Sequence, residues 1–346
     1  MRSLTSYESA HMSAEKQTVT SKDVAKLAGV SQSTVSRVFV PGSSVSEKTK
    51  TKVFEAAKAL NYRPNAFARS LTTNESKLIG LVFPDADYPI HMKTLQLIST
   101  ELQKQGYSAV LIPWQVDDED NHSIPNIFQY RVDGVIAASA TFNKSLYEEC
   151  EEFNIPIVQY ARVVEGTKSS YVISDNYEAG QQAAQLLHES GVTNALYLTG
   201  EVPTFTNDER QTGFCTEFED LTGKTPRIVE ATYDYASSLD KIREMLADKN
   251  RPEAVFCATD NLAMAVMDIA RMECGLSIPQ DLQVIGFDNI PQTEWLSYQL
   301  TTFRQDFRRL ARECVKIIVD QINNKNSSLV KMMVPVKLIT RNTTNG

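Results

Sequence analysis

At 346 residues the chain is too long for one hydrophobic core, so two or three domains are expected. Its formal charge of −8 hides a division: residues 17–74 hold nine Lys/Arg against three acids, a local +6, while residues 75–346 carry −14. No apolar run reaches the ~20 residues that span a bilayer, no signal-peptide core is present, and the five scattered cysteines form no C-x-x-C pair; a cytoplasmic protein with reduced thiols is expected, without membrane partner, disulfide framework or zinc site.

Residues 1–16 are polar and unpatterned, a disordered arm or a tag, and the helix-turn-helix unit is expected over 17–62. Thr20 followed by Asp23 is a capping-box-like helix start. Val24, Ala25, Leu27 and Ala28 then give a short apolar face, and Gly29 closes the helix where a left-handed residue is cheap. Ser31 caps a second helix whose Val35 and Val38 point inward, leaving Gln32, Ser33, Thr34, Ser36 and Arg37 outside. Ser46 starts a third, with Val53, Ala56, Ala57 and Leu60 facing the core. Two short helices joined by a Gly turn and braced by a third make an all-α helix-turn-helix headpiece, whose second helix enters a DNA major groove. The local cationic charge is what phosphate contact requires.

Pro64 ends the third helix, and residues 63–76 read as a hinge whose short helix, Asn65–Leu71, is marginal alone in water. From Lys77 the pattern becomes alternating strands and helices. Strands are expected at Leu78–Phe83, Ser108–Ile112, Gly134–Ala138 and Ile155–Tyr160, and a helix at Met92–Gln105. A second series has strands at Tyr171–Asp175, Ala195–Thr199, Ile228–Glu230, Ala254–Ala258 and Gln283–Phe287. Near-continuous apolar strands separated by helices mean parallel sheets covered on both faces. The fold class is therefore an all-α headpiece on an α/β body of two doubly wound parallel-sheet lobes. The expected lobes are 77–174 plus 303–331 and 175–302 plus 332–341, with Thr301–Phe303 and Val334–Ile339 crossing between them. Ligand sites lie beyond strand carboxyl ends, so two facing lobes make one cleft.

Asp23-Val-Ala-Lys-Leu-Ala-Gly-Val-Ser, Thr34-Val-Ser-Arg-Val, Leu60-Asn-Tyr-Arg-Pro-Asn65 and Ala68-Arg-Ser-Leu71 resemble the headpiece and hinge of the LacI/GalR family of bacterial transcription regulators. The resemblance runs over roughly residues 19–340 and implies a periplasmic-binding-protein-like body. It implies that Gln32, Ser33, Ser36 and Arg37 read one half-site of a near-palindromic, double-stranded operator, that Thr20, Thr34, Tyr62 and Asn65 hold phosphates, and that Ala68 and Leu71 lie in the minor groove. By itself Leu71 reads either as a leucine packed on the body or as a wedge that unstacks a base step; the resemblance favours the wedge.

In the body, Arg210 of Arg-Gln-Thr-Gly-Phe214 matches the family's Arg-x-x-Gly-Phe, whose guanidinium fork takes ligand oxygens. Asp288 matches an effector-contacting aspartate, although alone it reads equally as a turn cap. Tyr235 falls where the family packs an aromatic on ligand. Tyr88 and His91 sit at the first-lobe mouth, His91 being by type more often a satisfied surface histidine; Thr206 and Asn207 are weaker candidates. Many relatives have Asp-Arg where this chain has Ala161-Arg162, so a cleft with Arg162 and Arg210 but one acid fewer suits an acidic sugar or other anion.

The resulting expectation is a homodimeric, effector-responsive DNA-binding regulator, a repressor, taking a sugar, sugar acid or related polar metabolite. The residues after 341 leave no heptad run, which favours a dimer over a tetramer. A solute receptor with a vestigial headpiece explains the cleft but leaves the basic headpiece unexplained. An enzyme is disfavoured: the four histidines form no metal pair, no P-loop or G-x-S-x-G is present, and no cofactor is expected.

Overall fold

The computed structural model describes residues 19–39, 43–63, 75–84, 89–114, 127–138, 144–201, 204–324 and 327–345. The chain divides into two units, 1–76 and 77–346.

In the first unit, α1 spans Ser21–Ala28, α2 Gln32–Val38 and α3 Glu47–Ala59. Each start is explained by a hydrogen-bonding side chain. Both the N–H and the hydroxyl of Thr20 donate to the Asp23 carboxylate, at 2.9 and 2.7 Å, which holds that carboxyl below its ordinary range. Ser31 Oγ accepts the Thr34 N–H at 3.2 Å, and Ser46 Oγ the Thr49 N–H at 3.4 Å. Gly29 stops α1 at φ +67°, a conformation cheap only for glycine. Val24, Ala25, Val35, Val38, Val53, Ala56 and Ala57 form the small core, with Phe39, Leu60 and Tyr62 packed at its margin. Leu27 departs from the expected apolar face. It is exposed, because Val24, Ala25 and the half-buried Ala28 already occupy the inward side of a two-turn helix.

The second unit contains two sheets, each of six strands among the described residues. The first comprises β1 (Leu78–Pro84), β2 (Ser108–Trp114), β3 (Gly134–Ala137), β4 (Ile157–Tyr160), β5 (Ser170–Ser174) and β11 (Lys331–Val334), in the order β11-β5-β4-β3-β1-β2. All its pairings are parallel. The second comprises β6 (Ala195–Gly200), β7 (Arg227–Ala231), β8 (Ala254–Cys257), β9 (Gln283–Asp288), β10 (Thr301–Arg304) and β12 (Lys337–Ile339), in the order β12-β10-β9-β8-β6-β7. Only β12 runs antiparallel, against β10. Fully buried strands such as β3, β4, β6, β8 and β9 need cover on both faces, as their unbroken apolar runs require. Helices α4 (Pro89–Lys104), α5 (Lys144–Glu152) and α10 (Phe307–Asn323) belong to the first lobe. Helices α6 (Asn176–Glu189), α7 (Phe205–Thr222), α8 (Tyr235–Ala247) and α9 (Asp260–Met272) pack on the second.

The pairings move two expected lobe boundaries. β10 pairs with β9 through Arg304↔Asp288, so the chain leaves the second sheet after residue 304 rather than 302. Val334–Ile339 crosses between the lobes, as the end of one strand and the whole of the next. Residues 331–334 complete the first sheet beside β5, and 337–339 join the second beside β10. Pro335 lies at the break, where its missing N–H could not extend a ladder. Both lobes are thus discontinuous in sequence.

The last residues are sewn into the second lobe. The Arg341 guanidinium donates to the Leu300 carbonyl at 2.6 Å and to Asn289 Oδ1 at 2.8 Å. The buried Thr343 hydroxyl donates to the Val284 carbonyl at 2.6 Å and accepts the Thr301 N–H at 2.9 Å.

Candidate functional site

On the first unit, Gln32, Ser33, Ser36 and Arg37 form one exposed face of α2, opposite the buried Val35 and Val38. The Gln32 amide donates to Ser21 Oγ at 3.0 Å, tying the start of α2 to the start of α1. Thr20 is exposed and Thr34 half-buried, its hydroxyl 2.8 Å from Ser31 Oγ. Tyr62 stacks at a tilt on Phe39, with ring centroids 6.0 Å apart, which fixes the ring at the edge of the core. Asn65, Ala68 and Leu71 lie outside the described residues.

Between the lobes of the second unit lies a cavity of about 440 Å³, the size of an ordinary small-molecule site. Its walls come from strand ends and helix starts of both lobes, as doubly wound sheets dictate. Of the expected residues, His91, Arg162, Thr206, Asn207, Arg210 and Asp288 line it; Tyr88 lies outside the described residues. Tyr235 does not line it. Asp234 caps α8 by accepting the Ser237 N–H at 2.9 Å, which makes Tyr235 the first helical residue and turns its hydroxyl onto Asp268 at 2.7 Å. In its place Tyr233, which lies before the cap, joins Phe83, Tyr160 and Phe307 in lining the cavity, and it packs over Gly200, where a Cβ would meet its ring at 2.2 Å.

Arg210 is the most deeply placed charge. It lies on α7 and is 6 % exposed, and its guanidinium is stacked 3.3 Å from the centroid of the Phe287 ring. It donates to Asn176 Oδ1 at 2.7 Å and to the Ala258 carbonyl, while its buried Nε has no hydrogen-bond partner among the described residues. Burial pushes its pKa down, but arginine stays charged. The motif Arg210-x-x-Gly213 has a packing reason. A Cβ on Gly213 would stand 2.2 Å from the Tyr177 carbonyl oxygen, and one on Gly180 would stand 2.3 Å from the Arg210 carbonyl oxygen. Two glycines therefore let α6 and α7 touch backbone to backbone, which brings Asn176 to Arg210.

Two hydrogen-bonded paths join the lobes at the cavity. Arg162, which follows β4 of the first lobe, donates to the hydroxyls of Thr204 and Thr206 of the second, both at 3.0 Å. Gln305, in the crossover after β10, accepts from the Ser174 hydroxyl at 2.6 Å and donates to Asp288 Oδ1 at 2.5 Å. Asp288 ends β9 at φ +118° and Asn289 follows at +53°, a strained turn for two non-glycine residues. Behind it Asp260, fully buried at the start of α9, accepts the Ile290 N–H at 2.8 Å and the Thr302 hydroxyl at 2.5 Å. Burial, then the neighbouring Asp288 charge, raise the Asp260 carboxyl to about 7.

The sequence reading missed Asn176, Tyr233 and Gln305. Each follows the carboxyl end of a strand by one to two residues, and that position was the available signal. Arg162 was expected as a cleft residue; that it spans to the facing lobe was not.

A basic helix-turn-helix unit on one chain with a two-lobed α/β ligand clamp defines a ligand-binding regulator of transcription. Residues 20–65 match the model of bacterial regulatory proteins of the lacI family, and residues 184–344 that of the periplasmic binding protein-like domain. The chain is 32% identical over 291 residues to the HTH-type transcriptional repressor PurR of Yersinia enterocolitica, covering 83% of this chain and 85% of that protein. It is 30% identical over 291 residues to PurR of Aliivibrio salmonicida, covering 83% and 87%. Among solved structures, the Lac repressor dimer bound to operator and the anti-inducer ONPF gives a TM-score of 0.83 at 26% identity, covering 95% of this chain and 99% of that one. The CelR–cellobiose complex gives 0.71 at 26% identity, covering 94% and 99%. The chain belongs to the LacI family of bacterial regulatory proteins and is a DNA-binding transcriptional regulator. No helix among the described residues is long and apolar enough to cross a membrane.

Proposed function

We propose that the protein is a homodimeric repressor that reads a near-palindromic operator and holds a small polar metabolite, of the sugar or sugar-acid type, in its interlobe cavity. The observation that carries this reading is the cavity itself: its polar groups come from both lobes, and two hydrogen-bonded paths already cross it. A ligand that binds one lobe arrangement better than the other shifts their populations by its differential affinity and no more. Operator affinity follows that shift.

The exposed Gln32, Ser33, Ser36 and Arg37 are the groups offered to base edges, with Thr20, Thr34, Tyr62 and Asn65 to phosphates and Ala68 and Leu71 to the minor groove. The operator-bound dimer among the structural neighbours supports that assignment. The homodimer is further supported by apolar surface that a single chain leaves in water. Leu296 is 96% exposed, Trp295 and Met272 are exposed beside it, and the Arg271 guanidinium holds the Ser297 carbonyl and so fixes this turn against the end of α9. A second exposed set, Met92 on α4 and Leu111 on the edge strand β2, lies on the first lobe.

The test is binding to duplexes selected from a random library, followed by fluorescence anisotropy against random-sequence competitor in physiological salt, with mass measured by light scattering. A dimer with a selected, near-symmetric site is the expected result. In that assay Arg37→Ala should weaken selected-site binding by about 1–3 kcal/mol and relax base preference. Absence of preference for any duplex would refute the reading.

A further inference from the structure

The cavity's charges are unevenly satisfied. Arg162 and Arg210 both line it, and the Arg162 charge repels that of Arg210, opposed by the stronger pull of the nearby Asp288 carboxylate. Among the described residues neither is ion-paired: Arg162 rests on two threonine hydroxyls, and Arg210 on an amide oxygen and a backbone carbonyl. Thr206 and Arg210 are one turn apart on α7, so the Arg162 guanidinium and the start of the Arg210 side chain share one helix face. The Arg210 Nε adds a buried donor with no acceptor among the described residues. Of the acids at the cavity, Asp234 is committed to the cap of α8, and Asp288 accepts from the Gln305 amide, balancing Arg210 through space but making no hydrogen bond to it. Ala161 stands at φ +57°, where a side-chain carboxylate could have neutralised Arg162, and supplies only a methyl.

We infer that the cavity takes an anionic effector, a sugar or polyol carrying a carboxylate or phosphate whose charged oxygens lie between Arg162 and Arg210. The inference rests on the reading of the cavity as the effector site and names the ligand class. Two like charges on neutral acceptors gain most from a shared counter-anion, and each guanidinium fork matches two oxygens of a carboxylate or phosphate. The −14 of residues 75–346 acts against this at long range. That field is screened beyond roughly 8 Å in physiological salt, whereas a group seated between two partly desolvated guanidiniums is screened little. The short-range pair decides the sign.

The experiment is titration calorimetry of the full chain with matched pairs: glucuronate, gluconate and glucose 6-phosphate against glucose, and ribose 5-phosphate against ribose. At least one charged member should bind about 10–100-fold more tightly than its neutral counterpart, the factor expected of charge-assisted hydrogen bonds. Comparison of glucuronate with glucose 6-phosphate separates carboxylate from phosphate. Arg162→Gln retains donors for the threonine hydroxyls and should abolish the charged-over-neutral preference, read as the ratio of the two affinities within the variant. Ala161→Asp, a substitution the left-handed conformation tolerates, should do the same by restoring a carboxylate beside Arg162. A neutral member binding as tightly as its charged partner, no charged member binding at all, or a preference unchanged in both variants overturns the inference. Operator binding is measured separately on the same preparation. A chain that prefers its selected duplex and responds to a neutral ligand keeps the proposed function and loses only the anion.

Discussion

Gly213→Ala sets two principles against each other, and the structure says which wins. Gly213 lies inside α7, where alanine is worth about 1 kcal/mol more than glycine by helix propensity alone. Its Cβ, however, would stand 2.2 Å from the Tyr177 carbonyl oxygen on α6. Ordinary contact begins near 3.4 Å, so the helices must part by about 1.2 Å along that direction. The atom met is backbone, which cannot rotate away as a side chain would. Overpacking of this kind costs about 1–3 kcal/mol and sometimes more, and the separation also strips contacts along the neighbouring core. The net expectation is a loss of roughly 1–2 kcal/mol, read as a lower urea midpoint in unfolding followed by circular dichroism. Ligand affinity should fall too, because parting α6 from α7 draws Asn176 away from Arg210. A variant as stable as wild type, or more stable, would show that helix propensity dominates and that the close approach does not hold the cavity in shape.

Asn176→Ala removes the acceptor of a buried guanidinium and should cost about 2–3 kcal/mol in chemical denaturation, more than an exposed Asn→Ala change; a loss under 0.5 kcal/mol would place the support of Arg210 elsewhere. Asp260 titrates near 7 when folded, above the ordinary 3.8, so the folded state binds the extra proton. Its contribution is fully present below about pH 4 and is lost as pH rises through about 7, an effect of up to about 4 kcal/mol. Asp260→Asn should therefore flatten the decline of stability between pH 4 and 7.5, and an unchanged slope would assign that decline to other groups. Ser31→Ala deletes the cap of α2 and should lower headpiece stability by about 1 kcal/mol, with weaker duplex binding by anisotropy; intact binding at 37 °C would make the cap dispensable.

Much of this was legible in residue order. Caps at Thr20, Ser31 and Ser46 are read by type and spacing because the interaction is local. The strands could be placed because burial on both faces leaves unbroken apolar runs. What escaped depends on contacts between distant segments. Asn176 looks like any polar residue at a helix start until Gly180 and Gly213 bring α7 against it. Tyr233 and Tyr235 are equivalent in composition, and only the cap at Asp234 decides which ring faces the cavity. Gln305 is unremarkable in sequence, since its meaning comes from Ser174 and Asp288, 131 and 17 residues away. Leu27 failed for the opposite reason: apolar character was taken for burial on a helix whose inward side was already full.

The late strands β11 and β12 have a consequence for biosynthesis. A nascent chain that has emerged through residue 300 owns most of both lobes, yet it lacks the outer partner of β5, the outer partner of β9 and the hydroxyl that Thr343 places on Val284. Neither half can complete its sheet until residues 301–343 have left the ribosome. The body should consequently mature in one late step, and a fragment cut to contain a single lobe should be a poor substitute for the whole.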